Sequence, residues 1–477
     1  MPCTAKYLPS RRILAAVKGT DLVIFGASGD LARRKILPAL RGVGRAGHRV
    51  RVIGAGRSRL STDRFRDAVA EASGTPDIAK SAEWVRVEYD APDTYADLKA
   101  AVDGRRDIVF YLATPPSTFG GILRALTAAG LSGNGRGSRI VVEKPLGHDA
   151  ESARKLNRQL GELFAEDEIF RIDHYLAKDT VQNVLALRFS NGIFEPVWGR
   201  TMVHSIQITA AEEIDIEGRA GYYDQIGAVR DMVQNHVLQV LALVAMEPPT
   251  TFDPTDIRKA KLELLRSVEP LDPGAAVRGQ YQGYLDESGV DGDSRRETYA
   301  AAMVQIDNWR WQGVPIFIRT GKALRRQVTD VVVRWRDAPH LEVGGRRQHV
   351  IPTLLVIRIQ PDESITLRIG AKRPGPSFEM VPAGMKLEYR RLARAHLPDA
   401  YENVLREVFA GGHTMFPSGR EIERSWEIVD PLVEAWESEG HPETYQRGSW
   451  GPEAADELVA QTGGGRWVNS GDEPGTT

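Results

Sequence analysis

The stretch Asp21-Leu-Val-Ile-Phe-Gly26-Ala-Ser-Gly29-Asp-Leu-Ala-Arg-Arg-Lys35 decides the fold. A short apolar run enters a turn containing two glycines, and a helix start leaves it. Small residues there let backbone N–H groups approach an anion at the positive end of the helix. The turn departs from G-x-G-x-x-G, because its two glycines lie three apart, so it also fits a plain tight turn. Outward from it, β-rich runs alternate with helical stretches: Leu22 to Phe25, Val50 to Gly54, Trp84 to Val87, Asp107 to Ala113, Arg139 to Val142 and Ile169 to Ile172. Six such runs predict a parallel, doubly wound sheet, with the nearly all-apolar Asp107 run at its centre.

The pattern then changes. Helical regions are expected from about Leu176 to Leu187 and from about Gly227 to Val244. Strand-like segments follow at Val203 to Ile208, Ala302 to Asp307, Ile316 to Arg319, Val331 to Trp335, Leu354 to Ile359 and Ile365 to Ile369. Without a helix after each, they predict a large, mainly antiparallel sheet. Amphipathic stretches Ala400 to Phe409 and Glu421 to Trp436 read as late helices packed on that sheet. The expected organisation is α/β plus α+β: a Rossmann-like domain over 1–173, a sheet-and-helix domain over 174–461, and a loose Gly-rich tail over 462–477.

Composition narrows the function classes. The 477 residues carry 62 basic and 64 acidic side chains, a net charge of −2 that argues against a general nucleic-acid binder. The sole cysteine, Cys3, excludes an intramolecular disulfide and thiolate-rich metal sites, and suits a reducing cytoplasm. Val237 to Met246, the most apolar stretch, falls short of the roughly 20 residues that span a bilayer, so no membrane association is expected.

Chemistry gathers at the ends of the predicted strands. The second ends in Gly54-Ala-Gly-Arg57-Ser58, where an NAD-specific turn carries an acid for the ribose hydroxyls. Arg57 has the opposite sign and suits a 2′-phosphate, with Ser58 as helper. The residues therefore favour NADP without excluding NAD, since arginine also stacks on adenine. Ala113-Thr-Pro115-Pro116 and Glu143-Lys144-Pro145 fall on the same edge, although Lys-Pro is also an ordinary way to end a strand.

The most specific segment is Arg171-Ile-Asp-His-Tyr-Leu-Ala-Lys178-Asp179. Read as a helix start, it puts His174 and Lys178 on one face beside first-turn N–H groups, a clamp suited to a phosphate dianion. In the plainer alternative, Asp173 only caps the helix. Asp231-Met-Val-Gln-Asn-His236 offers an imidazole able to take a hydroxyl proton, which needs an orienting carboxylate such as Asp173. On an α-helix the five-residue spacing puts His236 about 140° from Asp231, so the two would reach one ligand only from opposite flanks. Beside Val237, Leu238 and Val240, the histidine also reads as a core residue.

In these blocks the sequence resembles the glucose-6-phosphate dehydrogenase family. The likeness covers nearly the whole chain, from GASGDLA through YLATPP, EKPLG, RIDHYLAKD, RAGYYD, RDMVQNH, IDNWRWQGVP and RTGKAL to GSWGP. It implies oxidation at C1 of β-D-glucose 6-phosphate with NADP, giving 6-phosphoglucono-δ-lactone. It also implies His236 as general base, oriented by Asp173, and His174 and Lys178 as phosphate ligands with Tyr175 beside them. Lys144, Glu212, Asp231 and Lys322 match positions that hold the sugar or its phosphate. Gly26, Ser28, Gly29, Asp30 and Leu31 match the dinucleotide turn, and Arg57 the 2′-phosphate contact. The family architecture implies a substrate domain whose large sheet pairs subunits, hence a homodimer or homotetramer.

The chain departs from the family at three places. Ala177-Lys-Asp179 stands for Gly-Lys-Glu, Gln327 replaces a Lys or Arg, and Phe416-Pro-Ser-Gly-Arg-Glu421 replaces an Arg-Asp-Glu pattern. Two other readings stay open on the sequence: a glucose–fructose oxidoreductase-type dehydrogenase of unphosphorylated sugars, and a non-catalytic paralogue binding NADP or sugar phosphate.

Overall fold

Buried β-branched runs and intervening amphipathic helices build a first sheet in the computed structural model, which describes residues 19–104, 107–132, 137–216, 218–343, 346–347, 350–392 and 399–469. Cys3 and the tail residues 470–477 lie outside the described residues. The strands are β1 (Gly19–Phe25), β2 (Arg49–Gly56), β3 (Glu83–Arg86), β4 (Ile108–Leu112), β5 (Ser138–Val142) and β6 (Ile169–Arg171). They run parallel in the order β3-β2-β1-β4-β5-β6, with β4 buried at every position between β1 and β5. The order reverses between β1 and β4, which opens a crevice beyond their carboxyl ends.

The second sheet contains β7 (Val203–Ala211), β8 (Ala276–Tyr281), β9 (Tyr299–Val304), β10 (Ile316–Gly321) and β11 (Val328–Trp335). After a short ribbon of β12 (Glu342–Val343) and β13 (Arg346–Arg347) come β14 (Leu354–Gln360), β15 (Ser364–Lys372), β16 (Met380–Glu388) and, much later, β17 (Glu443–Tyr445). The order is β16-β15-β14-β11-β7-β10-β9-β8-β17, antiparallel except for the pairs β7/β10 and β8/β17. Ile206, Ile208, Val331 and Ile357 share one continuous core with the helix Leu238–Ala245 and with β1 and β4.

Two expectations are corrected. The helices Ala400–Ala410 and Gly419–Ser438 pack on the first sheet's helices, not simply on the second sheet. Val404, Leu405 and Val408 join the core of β1 and β2, and Trp426 donates its indole N–H to the carbonyl of Leu146. The tail is not loose over 462–469: Trp467 is buried, stacks edge-on against Phe317 and donates to the carbonyl of Ala455. Asn469 accepts a hydrogen bond from Arg319 at 2.5 Å. One buried indole outweighs the glycine-rich composition around it.

Candidate active site

At the crevice, Gly26 has φ of 81°, and a Cβ there would stand 2.7 Å from the carbonyl oxygen of Ala113. Only glycine lets the turn sit this close to the end of β4. Its N–H donates to the carbonyl of Ala55 and its carbonyl accepts from Gly29, which bends the chain into the helix beginning at Asp30. Ser28 and Ser58 hydroxyls lie 3.2 Å apart, joining the first turn to the end of β2. Arg57 is exposed, with its guanidinium 5.3 Å from the ring centre of Tyr89. Gly29, Asp30 and Pro115 are exposed on this rim and Leu31 is half-buried in the first helical turn. A tight turn into a helix N-terminus, a steric gap kept by glycine and an exposed arginine at the ribose end together fit a dinucleotide.

Beyond β6 the chain forms turns rather than a helix, and Lys178, in extended conformation, precedes the helix Asp179–Phe189. His174 and Lys178 therefore do not share a helical face. The cause is local: Asp173 Oδ1 accepts the N–H of Tyr175 at 2.9 Å, a side-chain turn that competes with helix. The two residues still converge, around Tyr175. Its ring lies 4.3 Å from Lys178 Nζ and 5.1 Å from the His174 ring, and stacks on His236 at 4.2 Å. Ala177 is buried without positive φ, so alanine is accommodated there.

His236 also departs from α-helical geometry. The helix Ala220–Ala228 breaks at Gly227, whose Cβ would collide with the Glu297 carboxylate, and residues Val229–Val237 form a π-helix. Glu297 accepts the N–H groups of Ala228 and Val229, capping its start. In i→i+5 winding, residues five apart stack one turn above another, so Asp231 and His236 face the same side. The expectation of opposite flanks fails for this reason. Lys144 Nζ bridges them, at 3.2 Å from Asp231 Oδ1 and 3.1 Å from His236 Nε2.

An ammonium only donates, so Nε2 is the acceptor and the ring proton sits on Nδ1, 2.6 Å from Asp173 Oδ1. Burial pushes His236 below the ordinary imidazole value, helped by the Lys144 ammonium and opposed by Asp173. Burial raises the Asp173 carboxyl, but the adjacent His236 and His174 hold it well below the carboxylate range. His174 is pushed far down by burial and by His236 and Lys144. For Lys144 burial works against the charge, yet Asp231 and Asp173 keep it above the ordinary ammonium value. Lys178 falls to about 8, because burial outweighs the pull of Glu363 and Asp173.

The second sheet supplies the rest of the cluster. Its parallel pair, β7 and β10, ends side by side at Ala211 and Gly321, so the next residues, Glu212 and Lys322, form an ion pair over the buried ring of Tyr223. Several participants escaped sequence reasoning. Gln360, the last residue of β14, accepts from Lys178 and donates to the Tyr175 hydroxyl at 3.2 Å. Glu143, next to Lys144, accepts from the hydroxyls of Tyr111 and Tyr401, the latter from the late helix. Only their neighbourhood in the Glu-Lys-Pro and strand-end blocks hinted at either.

A switch-point crevice, a buried carboxylate–imidazole pair and a cluster of cations define a class: nicotinamide-dinucleotide dehydrogenases built from a doubly wound domain and a large-sheet domain. Comparisons sharpen that class. Residues 23–183 match the family "Glucose-6-phosphate dehydrogenase, NAD binding domain" and residues 185–468 match "Glucose-6-phosphate dehydrogenase, C-terminal domain". A glucose-6-phosphate 1-dehydrogenase 2 of Mycobacterium bovis is 41% identical over 93% of each chain, and the Bacillus subtilis glucose-6-phosphate 1-dehydrogenase is 38% identical over 93% of this chain and 97% of its own. The crystal structure of the Mycobacterium avium glucose-6-phosphate 1-dehydrogenase superposes with a TM-score of 0.84 at 37% identity, covering 95% of this chain and 99% of that one. A glucose-6-phosphate dehydrogenase solved with glucose 6-phosphate superposes with a TM-score of 0.87 at 36% identity, covering 94% and 98%. The chain belongs to the glucose-6-phosphate dehydrogenase family.

Proposed function

We propose that this protein oxidises C1 of β-D-glucose 6-phosphate to 6-phosphoglucono-δ-lactone with NADP+ as preferred acceptor, the first step of the oxidative pentose phosphate pathway. The observation that carries the reading is the buried Asp173–His236 pair, with the accepting Nε2 beside the Lys144 ammonium. His236 Nε2 takes the C1 hydroxyl proton, and Asp173 fixes the tautomer and stabilises the imidazolium. The bound nicotinamide dinucleotide supplies the hydride acceptor. Lys144 then donates to the sugar in place of its hydrogen bond to His236, while Asp231, Glu212 and Lys322 orient the hydroxyls. His174, Tyr175 and Lys178 hold the phosphate.

Gly26, Ser28, Gly29, Asp30, Leu31 and Pro115 cradle the dinucleotide, and Arg57 with Ser58 selects the 2′-phosphate. The functional division falls at Asp173/His174, and the exposed side of β16 with its sheet makes a homodimer or homotetramer in the cytoplasm. Among the described residues no helix is long and apolar enough to cross a membrane. A glucose–fructose oxidoreductase-type activity is disfavoured, since a neutral sugar leaves the part-buried Lys178 ammonium without an anion.

The test follows reduction of NADP+ and of NAD+ by absorbance, with glucose 6-phosphate or plain glucose. Fast reduction of NADP+ by the phosphorylated sugar alone supports the reading. Equal efficiency on both sugars supports the oxidoreductase alternative, and tight binding without turnover the non-catalytic one.

A further inference from the structure

Against the carboxylate–imidazole pair lies a cavity of about 20 Å³ whose lining includes Asp173, Gln234, Gln239 and Trp426 together with the cations Lys144 and Arg230. One ordered water needs about 10–15 Å³ and two or more polar partners. Two buried groups on this cavity lack a protein partner among the described residues: Asp173 Oδ2, an acceptor, and Gln239 Nε2, a donor. The Gln239 amide cannot be turned round. Its Oε1 accepts from Lys261 Nζ at 2.9 Å, and an ammonium has only protons to offer, so the NH2 end must face the other way. Lys261 is itself fixed: with no exposed surface, it pairs at 2.8 Å with Glu421, equally buried. Glu421 is held in turn by the backbone N–H and hydroxyl of Ser418.

We infer that Gln239 is a positioning residue for the reaction, acting through one internal water that accepts from Gln239 Nε2 and donates to Asp173 Oδ2. The chain of polar contacts then runs Ser418, Glu421, Lys261, Gln239, water, Asp173, His236. It ties the helix Pro254–Ser267 and the helix Gly419–Ser438 to the base without touching substrate. A buried carboxylate with one lone oxygen is costly, and a donor on that oxygen both removes the cost and fixes the plane of the carboxylate. The same donor withdraws charge from the oxygen facing His236 and so keeps the imidazole less basic.

The inference rests on His236 being the base and Asp173 its partner, so its test reads the histidine directly. In full-length protein labelled at histidine, the His236 ring is titrated by NMR and assigned by its loss in His236→Asn. The charged groups facing that ring are Asp173, Lys144, Asp231 and His174, and none is altered by the variants. Gln239→Leu is expected to raise the His236 pKa by about 0.5 pH unit or more, as loss of a donor to an ionised carboxylate implies. Its kcat should fall severalfold while KM for glucose 6-phosphate stays within about twofold.

Gln239→Met keeps the length, loses the donor and adds no charge, and it should shift the titration in the same direction if the leucine variant does not fold. An unchanged His236 titration in a folded variant overturns the proposal, as does a high-resolution crystal structure in which Asp173 Oδ2 and Gln239 Nε2 share no water. Survival of turnover in His236→Asn would instead sink the reading of the base and leave the titration result standing.

Discussion

The two halves of the site are built on opposite principles. The dinucleotide crevice is a backbone feature: positive φ at Gly26, a turn into a helix N-terminus, and exposed side chains at Asp30, Arg57 and Ser58. The sugar side is made of buried side chains, with Asp173, His236 and Lys322 almost wholly inside and each charge set against another. An exposed cation in water contributes modestly to affinity and mostly to selectivity. A buried pair has its protonation state and direction fixed by its neighbours, and removing one partner strands the other. The crevice should therefore tolerate change at side chains and fail at glycine, whereas the buried cluster should fail at single atoms.

The contrast is broken most severely, if the account is wrong, by Asp173→Asn. An amide that cannot hold the Nδ1 proton should lower kcat by about 10²–10⁴-fold, read in steady-state rates with substrate saturating. On the crevice side, Gly26→Val must strike the Ala113 carbonyl and leave positive φ. It should weaken NADP+ binding by about 100-fold or more in fluorescence titration, the scale of a 3 kcal/mol loss. By contrast, Arg57→Ala should reduce kcat/KM for NADP+ by about tenfold and leave NAD+ nearly unchanged, as expected for an exposed charge pair.

The smallest expected effect is one of pH. Lys178, lowered to about 8, must be protonated to hold a phosphate dianion, so kcat/KM for glucose 6-phosphate falls as pH rises through about 8. The limb should be absent from kcat, because the bound dianion retains the proton, and should move out of range in Lys178→Arg.

The crevice was also the more legible half in the sequence. Its six strands announce themselves because buried parallel strands are runs of Val, Ile and Leu, and the turn needs glycine. In the second sheet, β8, β16 and the three-residue β17 went unseen. β8 reads Ala-Val-Arg-Gly-Gln-Tyr, and β16, with Pro382 and Gly384 inside it, is half-buried to exposed throughout, so neither shows a hydrophobic period. The side-chain cluster was legible as residue types and not as geometry. His174 and Lys178 meet over Tyr175 through a turn set by Asp173, and Asp231 meets His236 through π-winding after Gly227. Spacing rules for the α-helix apply to neither. Gln360 and Gln239 carry no local signal, because their partners lie 182 and 22 residues away.

The most direct test of the central claim, that His236 is the base in a site which binds sugar phosphate through other residues, is His236→Asn assayed two ways. Turnover with NADP+ is followed by absorbance and glucose 6-phosphate affinity by calorimetry. The account predicts a loss in kcat of about 10³-fold or more with affinity changed by less than about threefold. Turnover within about tenfold of the parent enzyme, or a collapse of affinity that accounts for the whole loss, would contradict it.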